Sequence, residues 1–236
     1  MIAIIAAMDK ELKAILKATQ VTQTFRVADK VIYQGLLKNK EVVVAKSGIG
    51  KVNAAITTAA LCMKYPLEYI INTGVAGGLF PINTGEIVLS KGVVYSDVDV
   101  VNIDPDLKYG QMPGDPFIVQ ADSELLSYAK TVFDDLELPY RVGMIASGDQ
   151  FVTDSLRLEP LRETVDNILA VEMESMAIAV TAYKFNVPFL IFRGISDVID
   201  DHLQVQMYEN IVDDIADMTA RFVIHFIEGC TWKKSL

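Results

Sequence analysis

The chain has 236 residues, a formal net charge of −10 at pH 7 and a composition in which 51% of the residues are hydrophobic. This acidic balance argues against a nucleic-acid partner, because a phosphate backbone is held by clustered Lys and Arg and the sequence contains no such run. The length and the apolar content together predict one large domain that covers residues 1–236.

The sequence also argues against a membrane or secreted protein. No segment approaches the roughly 18 consecutive apolar residues that would span a bilayer. The opening "MIAIIAAM" lacks a basic leader region and runs into "DKELK", so it predicts a buried strand rather than a signal peptide. Cys62 and Cys230 lie far apart, which favours a reduced cytoplasmic protein over a disulfide scaffold. His202 and His225 lie 23 positions apart and form no metal-ligand pattern with the cysteines, so we expect no metal site and no cofactor.

Short, β-rich apolar runs alternate along the chain with amphipathic or alanine-rich segments. The runs predict strands over residues 1–7, 41–47, 69–73, 86–95, 141–147, 168–173 and 187–193. The segments between them predict helices over residues 9–18, 51–64, 121–135, 155–166, 175–185 and 205–228. This alternation predicts a largely parallel sheet covered by helices on both faces. The long irregular segment 97–118 is rich in Asp, Gly and Pro, and connections of this length are usually functional or part of an interface.

Polar residues and glycines gather where the predicted strands end, which is where ligands bind in sheets of this kind. These ends read "AAMDKE", "SGIGK", "NTGVAGG", "ASGDQF", "VEME" and "RGISD". Taken singly, each has a structural explanation as a turn, a helix N-cap or a first-turn helix residue. "SGIGK" is not a phosphate loop, because Ala45 stands where the first glycine should be and Val52 follows the lysine.

Two carboxylates, Glu172 and Glu174, lie in the apolar stretch "ILAVEMESMAIA". Burying an ionised carboxylate is costly unless it has a partner. On a helix the two side chains would point in nearly opposite directions, whereas on an extended segment residues two apart share one face. The pattern therefore predicts a buried strand end whose carboxylates need donors, such as the hydroxyl groups of a ligand. An ion pair with Arg193 is the structural alternative.

In their order and approximate spacing, these segments and "YGQMPG" resemble one family from the first strand to about residue 228. The chain is similar to the 5′-methylthioadenosine/S-adenosylhomocysteine nucleosidases of the wider purine nucleoside phosphorylase superfamily. "VEME" together with "ISD" carries most of the resemblance. It implies a three-layer α/β/α sandwich with a central mixed, largely parallel sheet. It also implies a homodimer that binds a small adenine thionucleoside and hydrolyses the bond between adenine and ribose.

The resemblance assigns catalytic roles to two carboxyl groups. Glu11 corresponds to the carboxylate that activates the attacking water, and Asp197 to the acid that protonates adenine at N7, with Ser196 beside it. Arg193 corresponds to a guanidinium near the water and the ribose. Val75 is a departure, since relatives usually have a serine there whose hydroxyl contacts the same region. Its presence puts the hydrogen-bond geometry around the nucleophile in question.

The resemblance also predicts the substrate-binding residues. Glu174 and the backbone of Met173, with Glu172 adjoining, correspond to the ribose-hydroxyl contacts. Phe151 corresponds to the aromatic residue that packs against adenine, and Val152 to the residue whose backbone reads the edge of the base. The other predicted contacts lie in the glycine-rich segment or around the 5′ substituent, and they are Gly77, Ile49, Leu107, Met112 and Pro113. In the family, the loop that contains the last three comes from the partner subunit, so segment 97–118 is expected to complete the neighbour's pocket.

Two other functions stay open at this point. A phosphorylase uses the same fold with phosphate as the nucleophile, but Glu11 would repel a phosphate dianion and one guanidinium is little to hold it. A nucleoside-binding protein without activity should lack one of the carboxylates that the chemistry needs, and this chain keeps Glu11, Glu174 and Asp197. The sequence does not rank methylthioadenosine, S-adenosylhomocysteine, 5′-deoxyadenosine and related nucleosides such as aminofutalosine.

Overall fold

In the computed structural model, which describes residues 1–202 and 204–232, eleven strands join into one sheet. The first six strands along the chain are β1 Ile2–Ala6, β2 Gln20–Val27, β3 Lys30–Leu37, β4 Lys40–Lys46, β5 Tyr69–Asn72 and β6 Val75–Gly78. The others are β7 Ile87–Tyr95, β8 Val119–Gln120, β9 Tyr140–Ser147, β10 Ile168–Glu172 and β11 Phe189–Val198.

Helices cover the sheet and alternate with most of its strands. They are α1 Asp9–Ala18, α2 Lys51–Lys64, α3 Ser123–Asp135, α4 Glu159–Arg162, α5 Ser175–Lys184 and α6 Gln204–Gly229. One core cluster packs α2 and α5 against one side of the sheet, and a second packs α1, α3 and α6 against the other. In the described part of the chain, no helix combines the length and the apolar character needed to cross a membrane. The predicted three-layer α/β/α fold is confirmed.

The strand order is β2-β3-β4-β1-β5-β11-β6-β10-β9-β7-β8, with an additional pairing between β11 and β7. Strands β11, β6, β10, β9 and β7 therefore close on one another, while the remaining strands extend the sheet from this closed part. Strand β1 pairs in parallel with both β4 and β5, and β11 pairs in parallel with β5 and β6. Since β1 and β10 are buried along their whole length, both faces of these strands are covered, as their continuous apolar sequences predict.

Several elements differ from the sequence prediction, among them the short strand β8, which no predicted run includes. Strands β2 and β3 form an antiparallel hairpin that was not predicted, and β2 is mostly exposed and lacks an apolar run. Strand β6 lies in the glycine-rich segment that reads as a turn, and it pairs with β10 and β11. The helix predicted over 155–166 is a 3-10 turn at Ser155–Leu158 followed by the short α4. Segment 97–118 contains no helix or strand, as predicted.

Candidate active site

A cavity of about 230 Å³ opens at the carboxyl ends of the central strands. Its walls come from the residues that follow β1, β4, β9 and β10, from β6, from the end of β11 and from the first turns of α1 and α6. The lining residues are Ala7, Met8, Glu11, Ile49, Val75, Ala76, Gly77, Gln150, Phe151, Val152, Val171, Glu172, Met173, Glu174, Ser196, Asp197, Gln204 and Tyr208. Glu11 and Asp197, although distant in sequence, therefore face one shared space.

Glu11 lies in the first turn of α1, yet only 2% of its surface is exposed. One carboxylate oxygen accepts a hydrogen bond from the backbone N–H of Met8 at 2.8 Å, and the other from that of Val75 at 3.1 Å. A Cβ added at Gly74 would come within 2.7 Å of this carboxylate, so glycine leaves the room it occupies. Burial raises the pKa of Glu11, although the Arg193 charge and the backbone hydrogen bonds oppose the shift.

Asp197 is near the end of β11 and is 1% exposed. One carboxyl oxygen accepts a hydrogen bond from the Ser196 hydroxyl at 2.6 Å. The other accepts one from the side-chain amide of Gln204 at 2.7 Å. A Cβ added at Gly77 would lie 3.1 Å from this second oxygen, so the glycine on β6 leaves the carboxyl group open to the cavity.

Glu172 ends β10 and is held by its own chain. Its carboxylate accepts hydrogen bonds from the backbone N–H groups of Glu174, at 3.0 Å, and Ser175, at 2.9 Å, at the start of α5. It also forms a salt bridge of 2.7 Å with Arg193, whose side chain is almost fully buried. The guanidinium of Arg193 donates a further hydrogen bond to Asn72 at 2.6 Å. The structural alternative considered for this carboxylate, an ion pair with Arg193, is present.

Glu174 lies at the N-cap of α5, where the chain turns out of β10. Its carboxylate accepts a hydrogen bond from the backbone N–H of Gly50 at 2.9 Å. Only 7% of the residue is exposed. Burial, together with the nearby charge of Glu172, raises the pKa of Glu174 to about 8, although Arg193 and the Gly50 hydrogen bond oppose the shift. The cavity thus contains a carboxyl group with unfilled hydrogen-bond capacity.

The far wall of the cavity combines an exposed aromatic ring with a buried backbone. Phe151 is 53% exposed and its ring lies 6.4 Å from that of Tyr208, in an edge-to-face arrangement. The backbone carbonyl of Val152 accepts a hydrogen bond of 3.0 Å from the amide of Gln204. A flat apolar ligand could therefore pack on Phe151 while its edge reaches the polar atoms beside Val152.

Some predicted residues lie outside this cavity. Arg193 does not line it, because its guanidinium lies behind Glu172 and bonds to Asn72 and Glu172. Leu107, Met112 and Pro113 do not line it either; all three belong to the irregular segment, and Met112 and Pro113 are exposed. The structure brings together the other predicted residues, which are Glu11, Ile49, Gly77, Phe151, Val152, Glu172, Met173, Glu174, Ser196 and Asp197.

Sequence reasoning missed three polar residues of the cavity, Gln150, Gln204 and Tyr208. Gln204 and Tyr208 enter from the first two turns of α6, four residues apart on the same face. The turn that brings them back over the cavity includes Asp200, which has a positive φ of 73°. Asp and Asn tolerate this conformation better than most residues, so the local sequence "DVIDD" predicts a turn without revealing where the next helix goes.

Comparisons with known proteins agree with this geometry. The profile of the Phosphorylase superfamily matches residues 1–228. A 5′-methylthioadenosine/S-adenosylhomocysteine nucleosidase of Bacillus cereus strain G9842 is 38% identical over 229 residues, covering 96% of this chain and 98% of that protein. The crystal structure of the nucleosidase of the same name from Neisseria meningitidis, in complex with methylthio-immucillin-A, has a TM-score of 0.91 and 32% identity. The match covers 97% of this chain and 99% of that chain.

A second similar structure belongs to a hydrolase named for a different substrate. Futalosine hydrolase of Helicobacter pylori strain 26695 has a TM-score of 0.89 and 28% identity, and the match covers 97% of both chains. The similarity to all of these proteins extends over nearly the whole chain. The chain belongs to the phosphorylase superfamily and, within it, to the 5′-methylthioadenosine/S-adenosylhomocysteine nucleosidase family.

Proposed function

We propose that the chain hydrolyses the N-glycosidic bond of 5′-methylthioadenosine and S-adenosylhomocysteine. The products are adenine and either methylthioribose or S-ribosylhomocysteine. One observation carries the proposal: Glu11, Glu174 and Asp197, which come from remote segments, line the same cavity. The names of the related enzymes support the same substrates.

The chemistry requires an acid on one side of the bond and an activated water on the other. Adenine leaves poorly as an anion, so Asp197 protonates it at N7 while the ribose develops positive charge. Glu11 accepts a proton from the attacking water, and its raised pKa suits a group that must take up a proton near neutral pH. Each positioned acid or base typically contributes about 10²–10⁴-fold to the rate.

Glu174 and the backbone of Met173 bind the ribose hydroxyls. The free acceptor capacity of Glu174 suits hydroxyl donors. On the other side of the cavity, Phe151 packs against adenine and the backbone of Val152 reads its edge. Gly77 leaves space for the base beside Asp197, whose carboxyl group Ser196 orients.

Glu172 and Arg193 act on the substrate indirectly in this proposal. Their salt bridge holds the end of β10 against β11, and the hydrogen bonds of Glu172 fix the backbone of Glu174. Arg193 also contributes a positive charge that opposes the rise that burial causes in the pKa of Glu11 and Glu174. Both are therefore assigned as positioning residues, which keep their neighbours in place without touching the substrate themselves.

Water is the nucleophile that this cavity favours over phosphate. Among the described residues that line the cavity there is no lysine or arginine, while Glu11 and Glu174 both carry acidic groups. A phosphate dianion needs several cationic or backbone donors, and an ionised Glu11 would repel it. The same carboxylates argue against a nucleoside-binding protein that has lost its activity.

We further propose that the chain works as a homodimer whose segment 97–118 completes the neighbour's pocket. Ile49, Val52 and Ile56 leave exposed apolar side chains beside the cavity and along α2, which is unusual for a free helix surface. Met112 and Ile103 expose apolar side chains on the irregular segment. Sedimentation at several protein concentrations tests the dimer, and substitution of Val52 by Asp is expected to dissociate it.

Three broader assignments accompany this proposal. A single domain over 1–236 is supported by a sheet that links β2 to β8 without a break. A cytoplasmic location is supported by the two free cysteines. The identity of the 5′ substituent is the least constrained part of the substrate assignment. Of the residues predicted around this substituent, Ile49 lines the cavity, and the partner's segment 97–118 is expected to supply the rest. A futalosine-type or 5′-deoxyadenosine substrate is therefore the runner-up.

The decisive experiment incubates the purified protein with methylthioadenosine, S-adenosylhomocysteine, 5′-deoxyadenosine and aminofutalosine, each with and without phosphate. Free pentose identifies hydrolysis, whereas a sugar 1-phosphate that forms only with phosphate would identify a phosphorylase. Asp197→Asn and Glu11→Gln are each expected to lower kcat by about 10²-fold or more. Glu159→Gln, which changes an exposed carboxylate on α4, is the matched control. Near-normal turnover by either site variant would overturn the role given to that residue.

A further inference from the structure

The side chain of Gln204 occupies the polar edge of the cavity. It is 4% exposed, although it belongs to the first turn of a helix. Its amide nitrogen donates to the carbonyl oxygen of Val152 at 3.0 Å and to a carboxyl oxygen of Asp197 at 2.7 Å. These two acceptors are the atoms that the proposed function assigns to the adenine edge.

The two acceptors determine which chemical group can stand between them. Carbonyl and carboxylate oxygens are both hydrogen-bond acceptors. The group between them must therefore donate two N–H hydrogen bonds from one nitrogen. A primary amide does this because its nitrogen is planar and carries two hydrogens. The 6-amino group of adenine is also a planar NH₂ on an sp² carbon, and it lies on the same edge of the purine as N7. A carboxyl group that reaches N7 therefore has its second oxygen near the 6-amino group.

We propose that the amide nitrogen of Gln204 stands where the 6-amino group of adenine binds, so that Gln204 must withdraw when the base enters. This inference rests on the proposed function, and it gives Gln204 a specific effect on base affinity. Buried acceptors that lose a donor are destabilised, and Gln204 prevents that loss while the cavity has no base. Each molecule of adenine that binds exchanges one set of N–H bonds for an equivalent set.

The exchange has a consequence that separates it from ordinary binding contacts. Because the side chain of Gln204 has left this position in the bound complex, displacing it weakens the binding of every purine that occupies the position by the same factor. A base with an oxygen at position 6, such as hypoxanthine, must displace Gln204 as well and leaves the acceptors without donors. Removing the amide should therefore tighten the binding of adenine and of hypoxanthine by the same factor and leave the ratio of their dissociation constants unchanged.

Isothermal titration of adenine and hypoxanthine tests this inference on the full-length protein. Gln204→Leu keeps most of the side-chain bulk and removes both N–H groups, and Gln204→Asn keeps an amide that is one methylene too short to reach both acceptors. The matched control is Gln206→Leu, since Gln206 lies in the same turn of α6 and is exposed. Both Gln204 variants are expected to bind adenine about three- to thirtyfold more tightly than the wild type, and the control equally tightly.

The outcomes separate this inference from the proposed function. If the wild type binds adenine and the Gln204 variants bind it no more tightly, Gln204 stays in the complex and the inference is wrong. A changed ratio of adenine to hypoxanthine affinity would likewise show that Gln204 contacts the bound base. If neither the wild type nor the Gln204 variants bind adenine, the base site itself is misassigned and both proposals fall. Adenine binding without release of adenine from a nucleoside would overturn the proposed hydrolysis alone.

Discussion

Glu172 and Glu174 are two residues apart in one buried turn, yet their carboxylates have opposite surroundings. Glu172 accepts backbone hydrogen bonds from Glu174 and Ser175 and pairs with Arg193. Glu174 accepts one from the backbone of Gly50, and burial raises its pKa. The first carboxylate has its partners within the fold. The second faces the cavity and can accept further hydrogen bonds, so it is the one suited to binding a ligand.

The difference follows from where each residue stands relative to the start of α5. Glu172 precedes the helix, so its side chain can turn forward onto the free N–H groups of the first turn. Glu174 is itself the N-cap residue, and its side chain points away toward Gly50 instead of capping its own helix. A carboxylate that completes a helix end is structural, whereas one that leaves its hydrogen-bond capacity unfilled is available for chemistry.

The largest effect expected from this comparison is on stability. Glu172→Gln removes the charge that pairs with buried Arg193, and breaking one side of a buried pair costs about 3–5 kcal/mol. For a chain of this size, each kcal/mol lowers Tm by about 2–4 °C. The matched variant Glu174→Gln, two residues away, should not lower Tm. Equal losses in the two variants, measured by calorimetry, would remove the distinction between the two carboxylates.

The second effect is on turnover and has the reverse pattern. Glu174→Gln replaces one of the two carboxyl oxygens by an NH₂ group that cannot accept from a ribose hydroxyl, and a neutral hydrogen bond is worth about 0.5–1.5 kcal/mol. We expect kcat/KM to fall by about 2- to 13-fold in a protein that is folded at the assay temperature. Steady-state kinetics of adenine release measure it, with Glu159→Gln as the exposed control. Unchanged kcat/KM would mean that Glu174 does not bind the sugar.

The pH dependence of stability is the third test. The folded protein raises the pKa of Glu174 from 4.5 to about 8, so the folded state holds this proton more tightly than the unfolded chain does. The resulting stabilisation is complete below the unfolded pKa and is lost as pH rises through the folded pKa. Tm of the wild type should therefore decline relative to that of Glu174→Gln between about pH 5 and about pH 8. A constant difference would contradict the raised pKa.

Much of the fold could be predicted because its central strands and helices have strong apolar patterns. The helices predicted over 9–18 and 51–64 have the bounds of α1 and α2. The hairpin β2–β3 was missed because β2 is polar and exposed, and only pairing with β3 holds it extended. Strand β6 was missed because glycine has a low strand propensity. A Cβ at Gly78 would come within 2.7 Å of Ile195, so close packing requires the glycine.

Less of the site could be predicted from the residues themselves. Carboxylates after strands were visible, but the sequence did not distinguish the role of Glu172 from that of Glu174, because both lie in the same apolar stretch. Gln204 gave no signal, since its contacts depend on how the turn at Asp200 redirects the chain. Long-range placement of this kind follows from tertiary packing, which no local pattern records.

The smallest effect concerns Glu11, whose surroundings are intermediate between those of the other two carboxylates. It accepts two backbone hydrogen bonds, one of them from Val75, and its pKa is raised. Val75→Thr adds a hydroxyl with little change of shape, and one more donor to the ionised carboxylate should lower the pKa of Glu11. The acid limb of the kcat/KM profile should then move to lower pH, because the base must be ionised.

The matched control for this change is Val75→Ala, which reduces the side chain without adding a donor. Its pH profile should keep the acid limb of the wild type, even if kcat/KM changes through looser packing of the cavity wall. If Val75→Thr leaves the acid limb in place as well, the hydroxyl does not reach Glu11. The hydrogen bond from the backbone of Val75 would then be sufficient for the base, and the departure from serine at this position would be neutral.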